Sequence, residues 1–402
     1  MIKLNNTQQF IVNKAIEWYR KSSDTLFQFD GPAGTGKSVV LNAIVSKLKL
    51  SEDHILPMAY SGQAAIVMRS KGLTNACTLH SGLFDIRLED EIDPISGKAK
   101  LDKVHNTKIK RWTFSPKYIN PKYIKLIIID EAWMVPKRFR KIIEDTKIKT
   151  IVAGDSSQLP PIKDEPAYLV NGTIYHLTEL MRQSENSPLI YLANKAKNGK
   201  PIDCGLYGND VLVIYDDELN DYLLSNSDII LCGKNNTRDY VNKYIRNNIL
   251  HHDTDYPQYG ERLICRKNNW GIDIDGISLV NGLIGTVTLP PNLEEFDKKT
   301  LGIWFKPDIS CSQIHLDINY DFLNGDHKTK EMIKSSRWAR GDLLEYAYAS
   351  TVHLAQGSEY YSGTYLEEFV PNYSVQKALN YTAITRFKQK MVYVKHKPKF
   401  LV

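Results

Sequence analysis

A chain of 402 residues, 42% apolar and 24% charged, is too long for one hydrophobic core and has the composition of a soluble globular protein, so two to four folding units are expected. Its net charge of +6 permits a polyanionic partner without requiring one. The five cysteines, Cys77, Cys204, Cys232, Cys265 and Cys311, are odd in number and form no C-x-x-C pair, which speaks against a zinc site or a disulfide framework and for a reducing compartment.

The amino terminus lacks the apolar stretch of a signal peptide, and no apolar run approaches the ~20 residues of a bilayer span. No membrane is expected as a partner, and the expected location is cytosol, bacterial or of a virus-infected host. His251-His252 reads as a polar helix end in preference to a metal pair.

In chain order, Phe10, Ile11, Ala15, Ile16 and Tyr19 have helical spacing over residues 6 to 20, with Asn6 or Thr7 as cap. Gln8, near the start, is either a solvated helix-start residue or an amide able to read the edge of a base. The apolar run Thr25 to Phe29 then leads into Gly31-Pro32-Ala33-Gly34-Thr35-Gly36-Lys37-Ser38, followed by a helical pattern from Val39 to Leu50. Strand, G-x-x-x-x-G-K-[ST] and helix together form a phosphate cradle. Glycines let backbone N–H groups turn toward an anion, and the helix aims its positive end at the same point. Lys37 suits the outer phosphates and Ser38 suits Mg²⁺.

A second strand, Ile55 to Tyr60, runs into Ser61-Gly62-Gln63-Ala64-Ala65, and a third signal spans Thr74 to His80. Small and hydroxylated residues at strand ends suit an α/β sheet that binds ligands at the carboxyl ends of its strands. Residues 84 to 123 differ in character. Asp93-Pro94-Ile95-Ser96-Gly97 is a turn signal. Lys98 to Lys125 holds nine Lys or Arg and one acidic residue, with Trp112, Phe114, Tyr118 and Tyr123 interleaved. Positive charge with aromatic faces is the chemistry of single-strand binding, and a solvated basic face is the plainer alternative.

Leu126 to Ile129 is a short strand ending in Asp130-Glu131, where one carboxylate can hold Mg²⁺ through water and the other can deprotonate an attacking water. Ile151 to Ala153 delivers Gly154-Asp155-Ser156-Ser157-Gln158-Leu159-Pro160-Pro161, in which the Gln158 amide can contact a terminal phosphate. Leu177-Thr178-Glu179-Leu180-Met181-Arg182-Gln183 follows where a second lobe could begin. Asn236, Arg238, Asn242 and Arg246 give Cys232 to Asn248 one polar helical face, either lining a strand channel or simply solvated. From about Tyr256 to Leu344 short strand signals dominate, and Asn281-Gly282 between Ile277 to Val280 and Gly285 to Thr288 predicts a hairpin.

The order Gln8, G-P-A-G-T-G-K-S, S-G-Q-A-A, T-L-H-S, D-E-A, G-D-S-S-Q-L-P-P and L-T-E-L-M-R-Q resembles superfamily 1 helicases, and among them the RecD- and Dda-like group B. Ala347 to Glu359, A-Y-A-S-T-V-H-L-A-Q-G-S-E, is similar to motif V, and Leu379 to Arg386, L-N-Y-T-A-I-T-R, to motif VI. The resemblance implies an α/β fold of two RecA-like lobes with a small inserted pin and an SH3-like β domain. Residues 1–83 and 124–180 would form lobe 1A, 84–123 pin 1B, 181–254 and 346–402 lobe 2A, and 255–345 domain 2B.

The resemblance further implies ATP and Mg²⁺ as cofactors and an ATP-driven motor on single-stranded DNA, probing junctions of single- and double-stranded DNA, 5′ to 3′, as a monomer. Replication or recombination proteins would be further partners. Lys37, Asp130, Glu131, Gln158, Arg182 and Arg386 would carry hydrolysis, with Ser38 and Asp130 holding the metal. Gln8, residues Gly31 to Val39, Gly357 and Glu359 would bind ATP, Gln8 at adenine and Glu359 at ribose. Ser61, Gly62, Gln63, Thr78, His80, Trp112, Phe114, Trp133, Arg238, Asn242, Thr351 and His353 would meet DNA. Two departures from the pattern, Trp133 after D-E-A and Leu354 in motif V, bear on strand contacts. The rival expectations are a superfamily 1 RNA helicase, and a nucleotide-gated binding protein or small-molecule kinase using the phosphate loop alone, which leaves the arginines and D-E without a task.

Overall fold

The computed structural model describes residues 4–396 apart from 94–95, 102–107, 109, 182–186, 276, 292, 294–298, 309 and 337–338. The helix Asn6–Lys21 opens on a capping box in which Asn5 and Gln8 bond each other's backbone N–H, and it buries Gln8, Ile11, Val12 and Ala15 on one face. Eight strands follow: β1 Leu26–Asp30, β2 Ile55–Ala59, β3 Cys77–Thr78, β4 Phe84–Asp90, β5 Lys110–Pro116, β6 Leu126–Asp130, β7 Lys149–Gly154 and β8 Ile174–His176. Six of them form one sheet in the order β3-β2-β6-β7-β1-β8, and every pairing in it is parallel.

Such a sheet must be covered on both faces, and the sequence supplies uninterrupted apolar strands for it: the first four residues of Leu-Ile-Ile-Ile-Asp in β6 are all buried. The helices Asn6–Lys21, Lys37–Leu48 and Gly62–Ser70 cover one face, and Arg138–Asp145 packs on the other. Because β1, β7 and β6 are adjacent, the loops leaving their carboxyl ends emerge side by side. Those loops are the phosphate cradle, residues 155–159 and Asp130-Glu131.

The remaining strands are β9 Gly205–Tyr207, β10 Val211–Tyr215, β11 Ile230–Cys232, β12 Arg262–Cys265, β13 Asn269–Ile274, β14 Ile277–Leu279, β15 Ile284–Leu289, β16 Thr300–Pro307, β17 Ile314–Asn319, β18 Leu344–Tyr346, β19 Ala349–Thr351, β20 Tyr360–Leu366 and β21 Phe387–Lys395. A second six-stranded sheet runs β19-β11-β20-β21-β10-β9, parallel except for the β9 edge. Between its first and last strands the chain makes a five-stranded antiparallel sheet, β17-β16-β15-β12-β18. Most of β16 alternates buried and partly or fully exposed residues, as a sheet with one covered face requires.

Two antiparallel ribbons stand apart from these sheets. One pairs β4 with β5, and the other pairs β13 with β14. The Asn281-Gly282 turn forms, with Gly282 at φ 92°, but its flanking strands do not pair with each other. β14 folds back on β13 while β15 pairs with β12 and β16, so the predicted hairpin is a corner between a ribbon and a sheet. The polar segment Cys232 to Asn248 begins as the end of β11, becomes helical over Asn235–Tyr244, and ends in a wider turn of helix over Ile245–Ile249. In the basic segment, Pro94 and Ile95 lie outside the described residues, but Gly97 N–H donates to Asp93 O at 2.9 Å and Ser96 N–H to Asp93 Oδ1 at 2.8 Å, as a turn there requires.

The first lobe packs closely on the antiparallel domain at Gly62. A Cβ on Gly62 would lie 2.0 Å from Val280 Cγ2, and Val280 belongs to the core of the antiparallel domain. Gly62→Ala is therefore expected to destabilise the fold by about 1–3 kcal/mol through overpacking. Adding Val280→Ala should recover most of that loss. Thermal melting followed by circular dichroism checks both variants.

Candidate active site and strand cleft

The cradle is shaped by backbone before any side chain acts. Gly36, the residue before the helix Lys37–Leu48, sits at φ 82°, ψ 35°, a conformation that glycine adopts without strain. Neighbouring elements hold the loop: Gly31 N–H donates to Gly154 O at 3.0 Å and Met181 N–H to Gly34 O at 2.9 Å. Lys37 Nζ lies 2.7 Å from Gly31 O and 3.4 Å from Pro32 O.

Gln8, expected at the adenine edge, does a different task here. It is 2% exposed, its Nε2 donates to Thr35 O at 2.9 Å, and its Oε1 accepts Asn5 N–H at 3.0 Å. Its amide is thus spent on the loop's own backbone, and it does not line the cavity described next.

A cavity of about 590 Å³ collects Pro32, Ala33, Gly34, Gly36, Lys37, Ser38 and Val39 with Asp130, Glu131 and Gln158 from the first lobe, and Gly357, Glu359 and Arg386 from the second. Glu131 has a left-handed backbone, φ 50°, unusual for a residue with a side chain and the kind of strain found at functional sites. Burial, then the adjacent Glu131 charge, push the Asp130 carboxyl up to about 6, against the Glu131 N–H bond and the Lys37 and Lys71 charges. Gln158 is 4% exposed and its Oε1 is buried with no hydrogen-bond partner. A polar atom left unpaired at the edge of a cavity is suited to a ligand.

Trp133 is among the residues expected to meet DNA. Instead its indole Nε1–H donates to Gln158 O at 2.9 Å and its ring packs on the first lobe's core, because the short helical turn Ala132–Met134 directs it under the 155–159 loop. Arg386 is 4% exposed, and its guanidinium touches Thr382 O at 3.2 Å, Ser358 O at 3.3 Å and Thr385 Oγ1 at 3.3 Å. These acceptors are neutral, and among the described residues no carboxylate pairs with it. A buried guanidinium with no counter-charge beside a cavity fits an anionic ligand. Arg182 lies outside the described residues.

Sequence reading missed Lys71 and Lys388. Lys71 Nζ reaches Glu359 Oε1 across the lobes at 2.6 Å, and Lys388 Nζ reaches Glu359 Oε2 at 2.7 Å. Burial alone would raise the Glu359 carboxyl, but the Lys71 charge and the hydrogen bonds from both lysines outweigh it and bring it down to about 2. A lysine directly following T-R-F was the available signal for Lys388; Lys71 carried none.

A second cavity, about 430 Å³, also draws on both lobes and on the antiparallel domain. Ser61, Gly62, Thr78, His80, Thr351 and His353 line it, joined by Arg266, Trp270 and Lys334, which the sequence did not single out. Burial lowers the pKa of both histidines, helped at His80 by Arg138, which favours their neutral forms. Phe114 from the β4–β5 ribbon packs edge-on against Trp270 at 6.2 Å and against His80 at 6.1 Å, so one expected aromatic stands beside this cavity. Trp112 faces Gly271 on the other ribbon.

Three expected strand contacts do not reach it. Gln63 Nε2 donates to Gly282 O at 3.1 Å, joining lobe and domain. Arg238, 3% exposed, pairs with Asp239 at 2.7 Å and Glu345 at 3.3 Å. Asn242 brackets the Ala349 peptide, donating to its O at 3.2 Å and accepting its N–H at 2.8 Å. Arg238, Asn242 and Arg246 point into a buried network between lobe and insertion, Asn236 is exposed, and of this helix Asn235 at its start lines the cavity.

The family profile described as AAA domain matches residues 3–213, more than half of the chain. A viral relative, uncharacterized protein R530 of Acanthamoeba polyphaga mimivirus, is 27% identical over 373 residues, which span 79% of this chain and 70% of that protein. Among solved structures, one describing DNA unwinding at forked double-stranded DNA by two coordinating Pif1 helicases aligns with TM-score 0.56 and 18% identity, covering 98% of this chain and 92% of that one. A Bacteroides Pif1 helicase in complex with ADP-AlF3 and single-stranded DNA aligns with TM-score 0.55 and 17% identity at the same coverage. With the phosphate cradle and a parallel sheet at its centre, the chain belongs to the AAA domain family and shares the fold of the Pif1 helicases.

Proposed function

We propose that this chain is an ATP-dependent DNA helicase that moves along single-stranded DNA, 5′ to 3′, and separates duplex ahead of it. The observation that carries this reading is that both cavities are built from both lobes: the one with Lys37, Asp130, Glu131, Gln158 and Arg386, and the one with Ser61, His80, Thr351, His353, Arg266 and Lys334. A change in lobe separation at the first must alter the second, which is what a motor needs and a kinase does not. The Pif1 helicases of similar fold, one described as unwinding forked double-stranded DNA and one in complex with single-stranded DNA, support DNA as the track.

In this reading residues 1–83 and 124–180 form lobe 1A and 181–254 with 346–402 form lobe 2A. The five-stranded antiparallel sheet supports an SH3-like domain over 255–345, and the β4–β5 ribbon, within 84–123, supports the pin that keeps strands apart. Lys37 would hold the outer phosphates, with Arg386, and Arg182 where the family places it, reaching the γ-phosphate from the second lobe. Gln158 would offer its unpaired Oε1 toward the attacking water, and Glu131 would accept that water's proton.

Ser38 and Asp130 are oxygen donors that fit Mg²⁺, which typically takes one or two protein ligands and completes its shell with phosphates and water. Bound there, the ion would neutralise charge on the transferred phosphoryl group. Among the described residues no group of three or more His, Cys, Asp and Glu could hold a metal ion. Among them also, no helix is long and apolar enough to cross a membrane.

Arg386→Ala should leave ATP affinity within a few-fold and lower turnover by ~10³ or more. Near-normal steady-state hydrolysis would remove the arginine from the reaction. Gln8→Ala, by freeing the Thr35 carbonyl, should raise KM for ATP and GTP alike at a stability cost of about 1–3 kcal/mol. A rise confined to ATP would return Gln8 to base reading. The whole proposal is tested by strand displacement on duplexes with 5′ or 3′ tails of DNA or RNA: unwinding of the 5′-tailed DNA substrate is expected, and absence of displacement on every substrate would refute it.

A further inference from the structure

The hydroxyl of Tyr381 meets two functional segments at once, the phosphate loop and the loop that carries Gln158, and the mechanism above gives it no task. Tyr381 lies in the helix Tyr373–Ile384 of the second lobe, shortly before Arg386, with its side chain 1% exposed. Its oxygen accepts the Ala33 N–H of the phosphate loop at 2.9 Å, and its proton is donated to Asp155 Oδ2. Asp155 is 1% exposed and opens the loop that carries Gln158; its other oxygen accepts Ser157 N–H at 3.0 Å.

One residue further along the helix, Thr382 Oγ1 accepts Leu159 N–H at 3.0 Å, at the other end of the same loop. The helix that precedes Arg386 thus grips both ends of the Gln158 loop and, through one phenol, the phosphate loop. Ala33 also lines the nucleotide cavity. Its N–H therefore has two competing acceptors, a neutral phenol oxygen and any phosphate oxygen in the cavity. An anionic oxygen is much the stronger acceptor.

Resting on the motor reading, we infer that Tyr381 is a positioning residue through which the second lobe reads whether the phosphate loop is loaded. A phosphate takes over the Ala33 N–H. The phenol is then held by Asp155 alone, and the helix is free to shift toward the cleft with the Gln158 loop and Arg386 moving in step. No bond is made or broken in this exchange except hydrogen bonds. Its main effect is on the coupling of turnover to the strand; a single neutral acceptor displaced from Ala33 changes nucleotide affinity only slightly.

Tyr381→Phe in the full chain keeps the ring in the core and removes both hydrogen bonds. Turnover stimulated by single-stranded oligothymidylate should fall ~10-fold or more, and the ratio of stimulated to DNA-free turnover should collapse toward one. Affinity for a fluorescent ATP analogue should change by less than about threefold. Asp155→Asn keeps an acceptor for the phenol and should retain most of the stimulation, whereas Asp155→Ala should lose it. That pair carries the test if circular dichroism shows Tyr381→Phe to be unfolded.

A Tyr381→Phe protein with the parent stimulation ratio, whatever its melting temperature, overturns the inference, as does equal stimulation in the two Asp155 variants. If the unaltered protein shows no stimulation by DNA, the motor reading itself fails. The two failures are therefore distinguishable.

Discussion

Five residues after β7, from Asp155 to Leu159, carry the join between the two parallel sheets. Asp155 accepts the Tyr381 hydroxyl, Leu159 donates its N–H to Thr382 and accepts the Gln356 amide on its carbonyl at 2.8 Å, and the Leu159 side chain is buried in the second lobe's core among Leu189, Val352 and Ile384. From the first lobe's side, Trp133 holds Gln158 O and Ser156 caps the Asp30 carboxylate, with Oγ at 2.6 Å. The loop is thus a piece of the first lobe packed as if it belonged to the second. Because interiors are close-packed and resist continuous deformation, displacement of one lobe has to be felt at Gln158.

Charge is the second constraint. Lys37, Lys71, Arg386 and Lys388 face the same cavity as Asp130, Glu131 and Glu359. The lysines Lys71 and Lys388 are satisfied by Glu359, which leaves Arg386 with neutral acceptors and Asp130 with a carboxyl lifted by burial. Such an arrangement is costly in itself and suits the entry of an anionic ligand. The Glu359 bridge spans the lobes, so the same ion pair that balances the cleft also resists its opening.

Two helical faces show how far polar periodicity can be trusted. Asn236, Arg238, Asn242 and Arg246 repeat as a solvated or strand-facing stripe would, but Arg238 and Arg246 are buried against Glu345 and Glu261, and Asn242 completes the β19 edge. Spacing reports that residues share a face and is silent on what that face meets. Likewise Lys71, Tyr381 and Trp270 escaped notice because each acts on a partner remote in sequence, Tyr381 on a carboxylate 226 positions away.

What the amino-acid order determined alone was the local machinery. G-P-A-G-T-G-K-S between a strand and a helix, D-E at the end of an apolar strand, and G-D-S-S-Q after another each specify a backbone path within a few residues, where glycine freedom, strand burial and helix ends leave little choice. The family resemblance carried by those pieces also implied two parallel-sheet lobes. Only the tertiary structure decided which polar side chains serve ligands and which serve the protein. Gln8 and Trp133 went to the loops, Arg238 and Asn242 to a buried network, and Lys71 and Tyr381 to the cleft. The physical reason is that a guanidinium, amide or phenol bonds equally well to a nucleic acid, a nucleotide or a buried carboxylate, and which of these it meets depends on segments brought together from distant parts of the chain.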